Sequence, residues 1–228
     1  MNPVILIAMY GRKKLVQTNL ELLQKQKCTV VVITSSDSDY LFIRDLDMDN
    51  VHSCVAPNQP LGTKWQIGVD YCKNINADPL IILGSDDFLS SGFVEQSVNY
   101  KELDIIFFTQ WHIHDSLSKK DYFLRYKNFF ALGSGRVFYK RFLDRNNWIV
   151  FDKDRSRLLD DYAFDSIKYY DKVLVNPPGM KLLSIKGAWE VMNPIEHILS
   201  ASDKIDWWPE VSIDHHFGYD RKIKDLFQ

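Results

Sequence analysis

Apolar and polar positions along this chain come in blocks. Val4 to Met9 is an unbroken β-prone run, after which Leu15, Asn19, Leu22 and Leu23 recur at helical spacing. That pattern predicts a strand followed by an amphipathic helix. The unit then repeats. Thr29 to Ile33 is a second apolar run, closed by Thr34-Ser35-Ser36-Asp37-Ser38-Asp39. Val51 to Ala56 is a third, followed by Pro60-Leu61-Gly62 and a helix carrying Trp65, Val69 and Cys72. A fourth run, Leu80 to Leu83, stops at Gly84-Ser85-Asp86-Asp87. Strands without polar alternation are covered on both faces, as in a parallel sheet flanked by crossover helices. Ligands of such sheets bind beyond the carboxyl ends of the strands. Here those ends carry Tyr10-Gly11-Arg12, the Ser/Asp cluster and Ser85-Asp86-Asp87.

The second half is less regular. Ile105 to Thr109 predicts a strand, and the aromatic stretch Tyr122 to Phe130 leads into Gly133-Ser134-Gly135. A helix is expected from about residue 159 to 170, then a short strand from Val173 to Val175. The tail holds Trp189, Trp207, Trp208, His215 and His216 without a readable period. With 228 residues, 46% of them hydrophobic, and no repeat or linker, the chain is expected to form one domain.

Charge and cysteine content narrow the class. Twenty-eight Lys and Arg nearly cancel thirty Asp and Glu, and like charges form no long run. A general nucleic-acid or membrane-surface footprint is therefore not expected. Cys28, Cys54 and Cys72 are odd in number, lack C-x-x-C spacing and lie in or beside apolar segments. They read as buried thiols of a reducing compartment. The first apolar run is too short to span a bilayer, so the cytoplasm is the expected location.

The candidate chemistry begins with Asp86-Asp87. Two carboxylates at a tight turn after a buried strand are costly unless solvated or held by a cation. A helix-capping turn before Gly92-Phe93-Val94 is the alternative. Lys64, two residues after Gly62 at a helix start, is placed to meet phosphates, or is an ordinary exposed lysine. The Tyr10 ring could cover a nucleobase and the Arg12 guanidinium could approach a phosphate, unless Arg12 is a solvated helix-start residue. Asp160 and Asp161 precede an amphipathic helix, where capping competes with a proton-accepting role. The tryptophans suit either a sugar-stacking platform or a core.

Residues 80 to 92, "LIILGSDDFLSSG", resemble the strand and acidic turn of GT-A glycosyltransferases, particularly the large inverting family 2. "VILIAMYGR" looks like that family's first strand and donor loop, and "TVVVITSSDSD" like its second strand. "NQPLGTKWQIGVDYC" is similar to its third loop and helix, while "LGSGRVFYKRFLD" and "LLDDYAFD" resemble its acceptor side. Gly84 stands where the family carries a first aspartate, and Thr34 and Ser35 stand where acids often contact the base.

The resemblance implies an α/β, GT-A-like sandwich with a mostly parallel central sheet flanked by helices. It further implies transfer of a sugar from a nucleotide-diphosphate donor to a glycan or other hydroxyl acceptor, with inversion and with Mg²⁺ or Mn²⁺. Donor contacts would come from Ala8, Tyr10, Arg12, Ser35, Ser36, Lys64 and Asp86, within a donor half of about residues 1 to 110. Asp86, Asp87, His215 and His216 are the implied metal ligands. Asp161 is the implied base, and Asp160 and Asp165 the implied acceptor contacts, in the half from about residue 111. A sugar-nucleotide nucleotidyltransferase is one alternative, although "AMYGRKK" has only one glycine where such enzymes carry a glycine-rich loop. A noncatalytic carbohydrate-binding protein of transferase-like fold is the other.

Overall fold

The computed structural model describes residues 1–127, 131–157, 159, 170–187, 195–201 and 203–210. Residues 160–169 of the expected helix, with Asp160, Asp161 and Asp165, and Trp189, His215 and His216 lie outside the described residues.

Four parallel strands form the centre: β1 (Val4–Ala8), β2 (Thr29–Thr34), β3 (Val51–Val55) and β4 (Leu80–Gly84), side by side in the order β4-β1-β2-β3. Val4 is level with Thr29 and with Leu80, and Ala8 with Ile33 and with Gly84. Every second residue serves a different core. Ile5, Ile7, Val30 and Val32 pack on one face with Val16, Leu20 and Leu23 of α1 (Lys13–Leu23) and Ile43 of α2 (Asp37–Asp45). Val4, Leu6, Val31 and Ile33 pack on the other with Val69 and Cys72 of α3 (Leu61–Asn74). Burial on both faces is why β1, β2 and β4 show no polar alternation, whereas β3, at the sheet edge, carries His52 and Ser53 and is only partly covered.

Beyond β4 the chain leaves this sheet. Asp87 opens β5 (Asp87–Leu89), which belongs to a second sheet of order β12-β8-β7-β11-β5. Its other strands are β7 (Gln110–Asp115), β8 (Lys120–Tyr126), β11 (Leu182–Lys186) and β12 (Ile205–Glu210). The short helices α4 (Phe93–Val98), α5 (Lys140–Arg145) and α6 (Ile195–Ser200) complete the described elements. The central sheet continues from β4 through β9 (Val137–Phe138), antiparallel to β4 and to β6 (Ile105–Phe107), and ends at β10 (Val173–Val175). The acidic turn is thus the point where the chain passes from one sheet to the other.

The predicted strand Ile105 to Thr109 is shorter than expected, because Gln110 already opens β7 of the other sheet. The aromatic stretch forms β8, and Trp207 and Trp208 lie on β12; no second sheet was predicted. All three cysteines are free thiols, and burial pushes Cys28 up to about 12 and Cys54 to about 11. Among the described residues no helix is long and apolar enough to cross a membrane.

Candidate active site

The turn after β4 is built by β11. Ser184 is level with Asp87, and its hydroxyl donates to Asp87 Oδ1. The Ile185 N–H donates to the Asp86 carbonyl at 2.9 Å, and Lys186 Nζ donates to Asp86 Oδ2 at 2.7 Å. From the β1 side Arg12 Nη1 lies 3.2 Å from Asp86 Oδ1 and donates to Ser85 Oγ at 3.1 Å. Asp86 is therefore held by a cation at each oxygen.

Asp87 stands beside Asp86, with its Oδ2 next to Gly84. A Cβ on residue 84 would collide with its Oδ2, so a side chain there would require the Asp87 carboxylate to move. Burial, then the charge of Asp86, raises the Asp87 carboxyl above the usual range, while Lys186 and the hydroxyls of Ser184 and Ser134 oppose that shift.

The donor loop follows β1. Gly11 and Arg12 both take the left-handed conformation, φ 65° and 54°, which turns the Arg12 side chain toward β4 before α1 starts. The Gly11 N–H donates to Asp39 Oδ2 at 3.0 Å. Ser36 Oγ accepts from the Asp39 N–H at 3.1 Å and caps α2. Ala8 ends β1, and Ser35 has a buried hydroxyl with no partner among the described residues.

Tyr10 stands 63% exposed above Lys64, whose Nζ lies 5.9 Å from the ring centroid. Lys64 itself is buried and donates to the Met9 carbonyl at 2.7 Å and to Asn58 Oδ1 at 3.2 Å. Burial lowers its pKa to about 8, against the opposing charge of Asp39. The expectation for Gly62 changes as well. The backbone that approaches it closely is the Asp152 carbonyl, where a Cβ would collide, and its N–H donates to the Arg155 carbonyl at 2.7 Å.

Between the two sheets lies a cavity of about 450 Å³. Arg12, Asp86, Asp87, Ser134, Ser184 and Lys186 form polar wall, and Trp65 and Trp111 apolar wall. Tyr10, Ser35, Ser36, Lys64, Trp207 and Trp208 do not line it. The described residues do not fit the implied Mg²⁺ or Mn²⁺. No group of three or more His, Cys, Asp or Glu converges among them, and Asp86 is already paired with two cations. The implied histidine ligands His215 and His216 lie outside the described residues.

Sequence reasoning missed Lys186 and Ser184. The signal available was an apolar run, Leu182 to Ile185, interrupted by one serine and ended by one lysine.

No protein-family model and no curated protein matches this chain. Solved structures do. S. aureus TarS 1-349 superposes with a TM-score of 0.62 at 12% identity over 81% of this chain and 60% of its own, so the chain spans less than two thirds of that protein. The same protein in complex with UDP gives 0.58 at 11% identity, again over 81% of this chain and 60% of its own. A Desulfovibrio desulfuricans G20 protein assigned as a nucleotide-diphospho-sugar transferase gives 0.55 at 12% identity, over 100% of this chain and 97% of its own. The inositol-1-phosphate CTP transferase of T. maritima gives 0.51 at 12% identity, over 88% and 95%. The chain has a GT-A-like α/β fold, with a mostly parallel central sheet flanked by helices, of the kind seen in nucleotide-sugar transferases.

Proposed function

We propose that the protein is a glycosyltransferase that moves a sugar from a nucleoside-diphosphate donor to an acceptor hydroxyl with inversion. The observation that carries this reading is the meeting of Arg12, from the end of β1, with Asp86, from the end of β4, in the wall of one cavity. Strand ends of this kind bind ligands in open α/β sheets, and a guanidinium there suits a diphosphate.

In this reading Ala8, Tyr10, Ser35 and Ser36 meet the nucleoside, and Arg12 faces the diphosphate. Lys64 acts from below, bonding the Met9 carbonyl under the Tyr10 ring. The acceptor is contacted by Asp160 and Asp165. Its hydroxyl oxygen forms a bond to the anomeric carbon as the bond from that carbon to the phosphate oxygen breaks. The electron pair stays on the departing diphosphate, and the hydroxyl proton passes to Asp161. The free thiols, with Cys28 and Cys72 buried and Cys54 half-buried, support a reducing compartment, the cytoplasm.

A panel of nucleoside diphosphates and triphosphates tests the reading by thermal shift and by product analysis. Glycosyl transfer requires stabilisation by a nucleoside diphosphate, with that diphosphate released on turnover and the anomeric configuration inverted in the product. Pyrophosphate release from a triphosphate would make the protein a nucleotidyltransferase. Stabilisation by free sugars alone would leave a noncatalytic binder. Asp161→Asn should still bind the nucleotide but lose transfer by about two to four orders of magnitude; full turnover in that variant would remove Asp161 as the base.

A further inference from the structure

The resemblance puts a divalent ion on Asp86, but that carboxylate is held from both sides by the protein itself. Lys186 Nζ is 2.7 Å from Oδ2 and Arg12 Nη1 is 3.2 Å from Oδ1. An ion on the same carboxylate would lie roughly 2.0–2.6 Å from its oxygens, against the ammonium. At that spacing, in a site with only 9% of the lysine side chain and 12% of the aspartate exposed, two cations repel strongly. Ion and lysine are therefore alternatives at this carboxylate.

Lys186 is fixed there by its strand. It ends β11, is level with Asp115 of β7, and its carbonyl accepts from the Ser116 N–H at 2.8 Å. The preceding residue bonds the Asp86 main chain, so the strand that carries the ammonium also positions the carboxylate it meets. The charges agree with this assignment. Two monocations and one carboxylate leave a single positive charge, the same as a divalent ion on Asp86 alone. Asp87 hydrogen-bonds Ser184 and lies against Gly84, in the wall of the same cavity, where the charges of Asp86 and Lys186 both act on it.

We infer that Lys186, together with Arg12, is the protein's own cation for the donor diphosphate, and that Asp86 holds this cation in place and is not a metal ligand. The inference rests on the transferase reading above. As the bond from the anomeric carbon to the phosphate oxygen breaks, the ammonium and guanidinium hydrogen-bond to the charge that grows on the diphosphate, and neither gives up a proton.

Calorimetric titration of the full chain with UDP and with inorganic pyrophosphate, in excess EDTA, tests this. Both ligands should bind, and UDP should bind no more than about threefold tighter when Mn²⁺ replaces EDTA. Lys186→Ala should weaken both by about tenfold to a hundredfold, the scale of a charge-assisted hydrogen bond, and Lys186→Arg should keep most of the affinity. Asp86→Asn should retain binding in EDTA, because it removes a negative charge beside the ligand. The double variant Asp86→Asn with Lys186→Met removes the carboxylate and the ammonium together, while Arg12 keeps Ser85 Oγ as an acceptor; it should unfold in urea like the wild type and show the same loss as Lys186→Ala. Binding that requires Mn²⁺, disappears in Asp86→Asn and is unchanged in Lys186→Ala would overturn the inference and leave the transferase reading standing. Failure of the folded wild type to bind either ligand, with EDTA or with Mn²⁺, would overturn both.

Discussion

A buried ammonium is tolerated only when acceptors replace the water it gives up, and for Lys64 those acceptors are the Met9 carbonyl and Asn58 Oδ1. Burial still favours the neutral amine and lowers its pKa from 10.5 to about 8. Below about pH 8 both folded and unfolded chains carry the proton, and the cost of the buried charge is present in full. Between about 8 and 10.5 the unfolded chain binds more protons, so this residue's contribution to stability rises with pH. The stability of the wild type relative to Lys64→Met should therefore climb between pH 7 and pH 10 in urea unfolding; a flat difference would show that the ammonium is not destabilised by burial. Sequence put Lys64 at a helix start to meet donor phosphates, whereas its amine is buried against the Met9 carbonyl. The direction of its side chain was not readable, because its acceptor at Met9 lies 55 positions away.

At the scale of elements, the closest fit is between α3 and the first two strands. A Cβ on Gly68 would lie 2.7 Å from Leu6 Cδ1 and would collide with Ile33 Cδ1. Alanine there gains up to about 1 kcal/mol of helix propensity but overpacks the core at a cost of about 1–3 kcal/mol. Gly68→Ala is expected to lower stability by a net 1–2 kcal/mol or so in urea denaturation, with UDP affinity weakened as the ends of β1 and β2 shift. A stabilised variant would show that the helix can move away from the sheet without penalty. The strands β1, β2 and β4 were legible because both faces are buried and the runs are uniformly apolar. In β8 and β12 polar and apolar residues mix, since these strands are only partly covered, while β7 buries His112 and Asp115 among its apolar residues. β11 is the instructive case: all five of its residues are buried, yet two are polar, because Ser184 and Lys186 answer the two acids of the turn.

For the molecule as a whole, Asp104 ties the far end of the central sheet to its surroundings. Its carboxylate pairs with Arg141 Nε at 2.9 Å and Arg145 Nη2 at 2.6 Å, and accepts from the Asp171 N–H at 2.9 Å just before β10. Burial by itself would raise this carboxyl, but the Asp171 N–H and the two arginines outweigh it and hold the pKa below 3.8. A lowered carboxylate stabilises the fold above the unfolded pKa, and that contribution is lost as pH falls through the folded value. Asp104→Asn should cost about 2–4 kcal/mol at neutral pH. The gap to the wild type should narrow in acid below about pH 4, measured by urea unfolding across that range. A gap independent of pH would mean the loss is one of shape and not of charge.

The amino-acid sequence by itself determined the α/β class, the parallel strands of the first half and the turn on which Asp86 and Asp87 sit. These follow from burial and chain direction, which leave a period in neighbouring residues. Only the tertiary structure decided what the two acids do. Asp86 meets Lys186 across 100 positions and Arg12 across 74, and Asp87 meets Ser184 across 97. No local pattern encodes which distant side chain a carboxylate will find, because hydrophobic periodicity records that a residue faces inward and is silent about the charge it meets there.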